Sequence, residues 1–324
     1  MPLFTEALLN EIKDNIYSKP LVFEHGKIKP EHIPVLAEAL VRNTSIKVLN
    51  IKDCHIGHKE GVALATMLLE NTTLEQLMLW GNTVKDIGAT QIAEALRFNQ
   101  TLKQLHLISN KVTSDTIFVI SNMLTENSSL KELYLSTANI GDAGMWSLYR
   151  ALRANTILEV LDVWGCEFGE SGIGPLAEAI ADNRTLQMLT ICDAHNRSPI
   201  DALACILRGN TSIKALNLSY NIIFEEAMQV LAPAIAGNTT LTHLTLFACQ
   251  ISEESAQILC GALESNTALT SIDLGYNDFS AETQKQIKSH LQRNDYGIFR
   301  LFSEYEEPEA HEAGASGCIS GNAL

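Results

Sequence analysis

The chain has 324 residues, 46% of them hydrophobic and 19% charged, which is enough apolar material for a sizeable core and too much for wholesale disorder. Lys and Arg total 23 against 38 Asp and Glu, a formal charge of −15 that would repel a phosphate backbone, so no nucleic-acid partner is expected. No apolar run approaches the ~18 residues of a membrane span, the opening MPLFTEALLNEIKDN lacks the order of a secretory leader, and seven cysteines without paired spacing suit a reducing, cytoplasmic setting.

In chain order the first predicted element is a short amphipathic capping helix within residues 1–14. Leu3, Phe4, Ala7, Leu8 and Ile12 would shield the start of the fold. Asparagines then stand at Asn15, Asn43, Asn71, Asn99, Asn127, Asn155, Asn183, Asn210, Asn238, Asn266 and Asn294. Every interval is 28 residues except the 27 between Asn183 and Asn210, so ten units fill residues 15–293. Six residues after each asparagine comes an apolar residue, as in Leu21, Leu49, Leu77 and Leu105, and two further on another, as in Phe23, Ile51, Leu79 and Leu107. Such alternation predicts a short strand with one face inward. Three residues later a small polar column, Asn82, Asn110, Asn221 and Asn277 with Cys54, Cys166 and Cys249, is placed to bond backbone groups of the loops leaving the strands. The second half of each unit steps by three and four, as in Leu64, Ala65 and Leu68 or Ile92, Ala93 and Leu96. It predicts a helix, with Asp86, Ser114 and Asp142 as N-caps.

Segments such as LEQLMLWGNTVKDIGATQIAEALRFN and LTHLTLFACQISEESAQILCGALESN resemble the leucine-rich repeat family, specifically its long ribonuclease-inhibitor-like subtype. The resemblance spans residues 15–293 and implies an α/β solenoid. Spacing leads to the same shape: parallel strands lie ~4.8 Å apart, whereas packed helices need ~8–10 Å. The helix side must then be the longer arc of a horseshoe, with parallel strands on the concave face and helices on the convex one. No unit can bury its apolar face alone, so stability is a sum over units and their interfaces. Ile298, Phe299, Leu301 and Phe302 are expected to close the far end, within a cap at residues 294–302.

Alternation also identifies the exposed side of the strands. Immediately after the second inward position come Glu24, Lys52, Trp80, Ile108, Ser136, Trp164, Cys192, Ser219, Phe247 and Gly275. Neighbouring exposed columns add Met78, His106, Tyr134, Tyr220, His243 and Tyr276. Large aromatics on a rigid surface are typical of the energetic centres of protein interfaces, although they can also stack on one another and merely stiffen a sheet. Glu24, Asp53, Glu132, Asp162, Asp193 and Asp273 oppose only Lys52 there. An acidic trough would steer a protein partner with a basic or mixed surface; net negative charge also serves solubility. The candidate partner-binding set is Met78, Trp80, His106, Ile108, Glu132, Tyr134, Asp162, Trp164, Asp193, Tyr220, His243, Phe247, Asp273 and Tyr276.

Other signals read as scaffold. Cys192, Asp193 and His195 point to alternate faces and lack a second ligand pair; His55 and His58 have no partner ligands, so no catalytic, metal or cofactor site is expected. Seven ladder asparagines fit the N-x-Ser/Thr pattern, but the period explains them without sugar. GESGIGP at 169–175 lacks the lysine of a phosphate loop. The seventh unit is irregular, with Ala194 in the asparagine column, Asn196 in an apolar column and Pro199 following, and predicts a local distortion at 193–199.

After Phe302 the composition changes to a glutamate-rich, then small-residue tail, with Glu304, Glu306, Glu307, Glu309 and Glu312, and disorder is expected over 303–324. This tail resembles the C-terminal export signals of bacterial type IVB secretion effectors, which implies action on a host protein after translocation into a eukaryotic cytoplasm; the other reading is a solubilising tail. The expected function is a non-enzymatic, monomeric protein-interaction scaffold, with no membrane partner. The alternative is a regulator of a small GTPase, since repeats and acidic tail are similar to those of the Ran GTPase-activating proteins.

Overall fold

The computed structural model describes residues 3–192 and 200–294. The paired apolar columns are at its centre: Leu21, Leu49, Leu77, Leu105, Leu133, Leu161, Leu189, Leu216 and Leu244 are all buried, as are Phe23, Ile51, Leu79 and Leu107 two residues on. Each pair sits on or beside a short strand. The first five are β1 (Leu21–Glu24), β2 (Val48–Lys52), β3 (Gln76–Met78), β4 (Gln104–His106) and β5 (Glu132–Tyr134). The rest are β6 (Val160–Asp162), β7 (Met188–Thr190), β8 (Ala215–Asn217), β9 (His243–Thr245) and β10 (Ser271–Asp273). They form one parallel sheet in sequence order. Register follows the period, with Leu21 beside Leu49, Leu49 beside Leu77 and Leu133 beside Leu161.

The helices pack against the other side of these residues. They are α1 (Glu6–Lys13), α2 (Ile33–Val41), α3 (His58–Glu70), α4 (Lys85–Leu96), α5 (Ser114–Glu126) and α6 (Gly141–Ala154). There follow α7 (Glu170–Asp182), α8 (Ile200–Gly209), α9 (Glu225–Gly237), α10 (Glu253–Ser265) and α11 (Ala281–Asn294). Leu64, Leu68, Ile92, Leu96, Leu148 and Leu152 are buried at the expected three- and four-residue steps. No described helix is long and apolar enough to cross a membrane.

The ladder asparagines hold unit to unit. Asn127 donates from Nδ2 to the carbonyls of Leu96 (2.6 Å), at the end of the preceding helix but one, α4, and of Asn99 (3.0 Å), while its Oδ1 accepts the amides of Ser129 (2.9 Å) and Leu130 (2.8 Å). The bond to the carbonyl 31 residues back recurs from Asn43 to Ile12 and from Asn266 to Ile235. Asn15, by contrast, is exposed after α1, and its side-chain oxygen accepts from Thr44. At the far end Arg293 takes the Leu263 carbonyl that an asparagine would have bonded. The seven ladder asparagines of the N-x-Ser/Thr pattern are buried with their amides engaged, so the folded chain offers them no room for sugar.

The second polar column works as its chemistry implies. Asn82 donates to the Ile51 and Leu79 carbonyls and accepts the amides of Cys54 and Ile56. Cys54, Cys166 and Cys249 put their thiols on the same carbonyl positions, and burial pushes the Cys166 and Cys249 thiols up to about 12.

Two expectations need correction. Asp86, Ser114 and Asp142 lie inside the first turns of α4, α5 and α6; the residues before those helices are Val84, Thr113 and Ile140. Asp86 instead reaches forward a whole unit, accepting from the Thr113 amide (2.8 Å) and the Thr116 hydroxyl (2.7 Å), and Asp142 likewise accepts the Gly169 amide (2.7 Å). In α1, Leu8 and Ile12 are buried, and Phe4 ahead of it stacks on His32 (4.9 Å), but Ala7 on the helix and Leu3 before it face water because the short helix covers the first unit with one narrow stripe. The irregular segment 193–199, the cap beyond Asn294 and the tail lie outside the described residues.

Candidate functional site

The exposed face of the sheet is built by strand exits rather than by strands alone. The ladder of backbone bonds continues past each strand: the amides of Asp53, Gly81, Ser109, Thr137 and Gly165 donate to the carbonyls of Trp80, Ile108, Ser136, Trp164 and Cys192. Those five residues, with Tyr220 (φ +62°), Ala248 and Tyr276 (φ +56°), all adopt the left-handed conformation. Glycine is the natural occupant of such a position, yet two tyrosines hold it.

Carboxylates and amides on the middle column pin the same exits. Asp162 Oδ1 accepts the Trp164 amide (3.0 Å), Asn217 Oδ1 the Ser219 amide (2.9 Å) and Asp273 Oδ1 the Gly275 amide (2.9 Å). Asp162 is half-buried, and burial raises its pKa against the opposing pull of the Trp164 amide and the Ser136 hydroxyl. Asp273 is exposed.

The aromatics fall into two groups. In the first half of the sheet, Trp80 is half-buried under Lys52, whose ammonium lies 4.1 Å from the ring centroid. Met78 and Ile108 beside it are also half-buried. Tyr134 is not exposed as alternation predicts: it is 7% accessible, stacked on His106 at 4.0 Å, with its hydroxyl donating to Glu132 Oε2 (3.0 Å). Gln104 donates to the other oxygen of Glu132 (2.7 Å). Burial holds the His106 pKa down at about 4, and its Nε2 has no hydrogen-bond partner among the described residues. Neighbouring side chains one unit apart are close enough to roof a ring over, which strand alternation cannot reveal.

In the second half the rings form a row. Trp164 (37% accessible) meets Tyr220 (43%) edge-on at 6.3 Å; Tyr220 meets Phe247 at 5.7 Å; Phe247 meets Tyr276 (85%) at 4.8 Å. The Phe247 ring rests on Gly275, where a Cβ would lie 2.9 Å from Cδ2. His243 is half-buried, its Nδ1 2.8 Å from the Thr242 hydroxyl, and burial lowers its pKa. Cys192, Ser136 and Ser219, expected in the exposed column, are buried, and Cys192 is 1% accessible. Asp193 and His195 lie outside the described residues. Among the described residues no group of three His, Cys, Asp or Glu is placed to hold a metal ion.

Two features escape the alternation argument. Lysines are not confined to Lys52: at the entry edge of the strands Glu75 bridges Lys47 (2.9 Å) and Lys103 (2.6 Å), and Lys131 pairs with Glu159 (2.6 Å). Hydrogen bonds from Lys103 and then Lys47 lower the Glu75 pKa. The column two residues before the first inward leucine carried that signal. On the helix side, Trp146 of α6 is 48% accessible and meets Tyr149 edge-on at 5.5 Å, and exposed Phe118 occupies the same column one unit earlier.

Residues 42–65 and 126–148 match the family model described as Leucine Rich repeat. No curated protein matches the chain significantly. Of 157 solved chains that do, one titled "Leiomodin-1 Actin-Binding Site 2 (ABS2)" is 22% identical with a TM-score of 0.34, over 54% of this chain and 84% of that one. Another, "Crystal structure of Rad7 and Elc1 complex in yeast", is 17% identical with a TM-score of 0.47, over 83% of this chain and 76% of that one. With ten parallel strands in sequence order, helices between them and apolar columns in register, the fold is a leucine-rich-repeat α/β solenoid.

Proposed function

We propose that the chain is a non-enzymatic protein-interaction scaffold whose sheet face binds a partner protein of basic or mixed surface. One observation carries this reading: the row Trp164, Tyr220, Phe247 and Tyr276 stands open on the sheet, with two of its tyrosines held at backbone positions that suit glycine. Rigid aromatics beside carboxylates such as Asp273 supply contact area and polarity together. Trp80, already covered by Lys52, is secondary.

Affinity capture from eukaryotic lysate tests it. Trp164→Ala with Tyr276→Ala should abolish specific capture while the thermal melt stays nearly unchanged, and Trp146→Ala on the helix side should capture as the parent does. The opposite pattern would move the site to the helix face. Action as a translocated effector rests on the tail, which lies outside the described residues. For the GTPase-regulator reading, the described arginines, from Arg42 to Arg293, sit on helices or the turns after them, away from the aromatic row.

A further inference from the structure

Lys52 and Trp80 show how this face covers a ring. They occupy the same column one unit apart, and the ammonium covers the indole at 4.1 Å. In the second half of the sheet the same column puts Ser136 before Trp164 and Ser219 before Phe247. A serine cannot cover a ring with charge. Among the described residues no lysine or arginine lies over Trp164, Phe247 or Tyr276. The charges beside those rings are carboxylates instead: Asp162 holds the Trp164 amide, and Asp273 lies with Phe247 around Gly275.

The geometry is tightest at the β9–β10 end. A Cβ built on Gly275 would lie 3.3 Å from Asp273 Oδ1 and 2.9 Å from Phe247 Cδ2, so carboxylate and ring flank one bare backbone position. Tyr276 adds a second ring 4.8 Å from the first. Asp273 uses Oδ1 for the Gly275 amide, which leaves Oδ2 for an incoming donor. Ring faces attract cations, and a carboxylate next to them fixes the direction of approach.

Resting on the reading of the sheet face as the partner-binding surface, we propose that this end takes an arginine side chain of the partner. Its guanidinium stacks on Phe247 and Tyr276 and donates to Asp273. Arginine fits better than lysine because a planar, weakly hydrated ion can stack and hydrogen-bond at once.

The test titrates the full chain with a labelled extended peptide carrying arginine at alternate positions among serine and glycine, followed by fluorescence anisotropy. Lysine and citrulline versions serve as controls, citrulline keeping the shape without the charge. The arginine peptide should bind best and the citrulline one not saturate at millimolar concentration. Tyr276→Ala and Asp273→Asn should each weaken the arginine peptide about fivefold, the size of an exposed cation–π or ion-pair contact. Equal binding of arginine and lysine peptides, equal binding of the citrulline peptide, indifference to Tyr276→Ala, or no binding of any peptide would each overturn the proposal. Asp273→Asn keeps an oxygen for the Gly275 amide, and an unchanged melt shows that the fold is intact. Lysate capture separates the two readings. If capture is lost with Trp164→Ala/Tyr276→Ala but persists with Asp273→Asn, and excess arginine peptide does not compete, the scaffold stands and the arginine site falls. If capture survives the double variant, the sheet-face reading falls and the arginine proposal that rests on it falls with it.

Discussion

Tyr276 combines 85% accessibility with φ of +56°. A left-handed backbone costs an ordinary residue roughly 1–2 kcal/mol, so the position gives up stability for the ring it displays. Tyr276→Gly should therefore be about 1 kcal/mol more stable than Tyr276→Ala, with both equally poor in partner capture; denaturant midpoints compare them. His106 carries a second cost. Only the neutral imidazole suits its buried place against Tyr134, so below pH 6.5 the unfolded chain binds a proton that the folded chain refuses until about pH 4. Its contribution is complete above pH 6.5 and drains away as pH falls through that window, about 3 kcal/mol in all. His106→Phe should keep the stack and lose that share of acid sensitivity, read as a flatter curve of stability between pH 6.5 and 4. Neither behaviour was legible in sequence. Alternation says which side of a strand Tyr134 takes, but not that His106 one unit away would lie flat on it.

The elements were largely legible, because two columns carry both pattern and chemistry. Inward leucines predict strand and register at once, and a recurring asparagine predicts a turn with backbone groups to satisfy. Less legible was that these bonds cross units. Asp86 and Asp142 resemble caps of their own helices, yet each secures the start of the next one. Local sequence rules assume a local partner, and a solenoid offers the neighbouring unit as an equally close one. The ladder sets the energetic stake: removing one buried amide strands several backbone groups together. Asn127→Ala should cost about 3 kcal/mol or more, and Asn127→Asp at least as much, since a carboxylate cannot donate to the Leu96 and Asn99 carbonyls. Urea unfolding of both variants measures it, and loss below about 1 kcal/mol would show that the ladder is ornamental.

At the scale of the molecule, periodicity alone carried the strand count, the sheet order and which side faces which; the charge distribution it carried poorly. The acidic side was visible, but the Lys47, Glu75 and Lys103 bridge lies one column outside the strands and balances the entry edge. Because Asn99 and Asn127 clasp the preceding residues with the same bonds, the unit between them is removable. Excising residues 99–126 would bring Asn127 to the Leu68 and Asn71 carbonyls that Asn99 now holds. The shortened chain should fold with one strand fewer than ten and still melt in a single helical transition by circular dichroism.

The 27-residue step between Asn183 and Asn210 has a bearing on how such a chain could have grown. Asn210 still reaches the Ile180 carbonyl (2.7 Å) and the Asn183 carbonyl (2.9 Å), so the missing residue was absorbed between the clasps. An insertion or deletion in one coil is thereby quarantined: the next clasp resets the count, and errors in length do not propagate down the array.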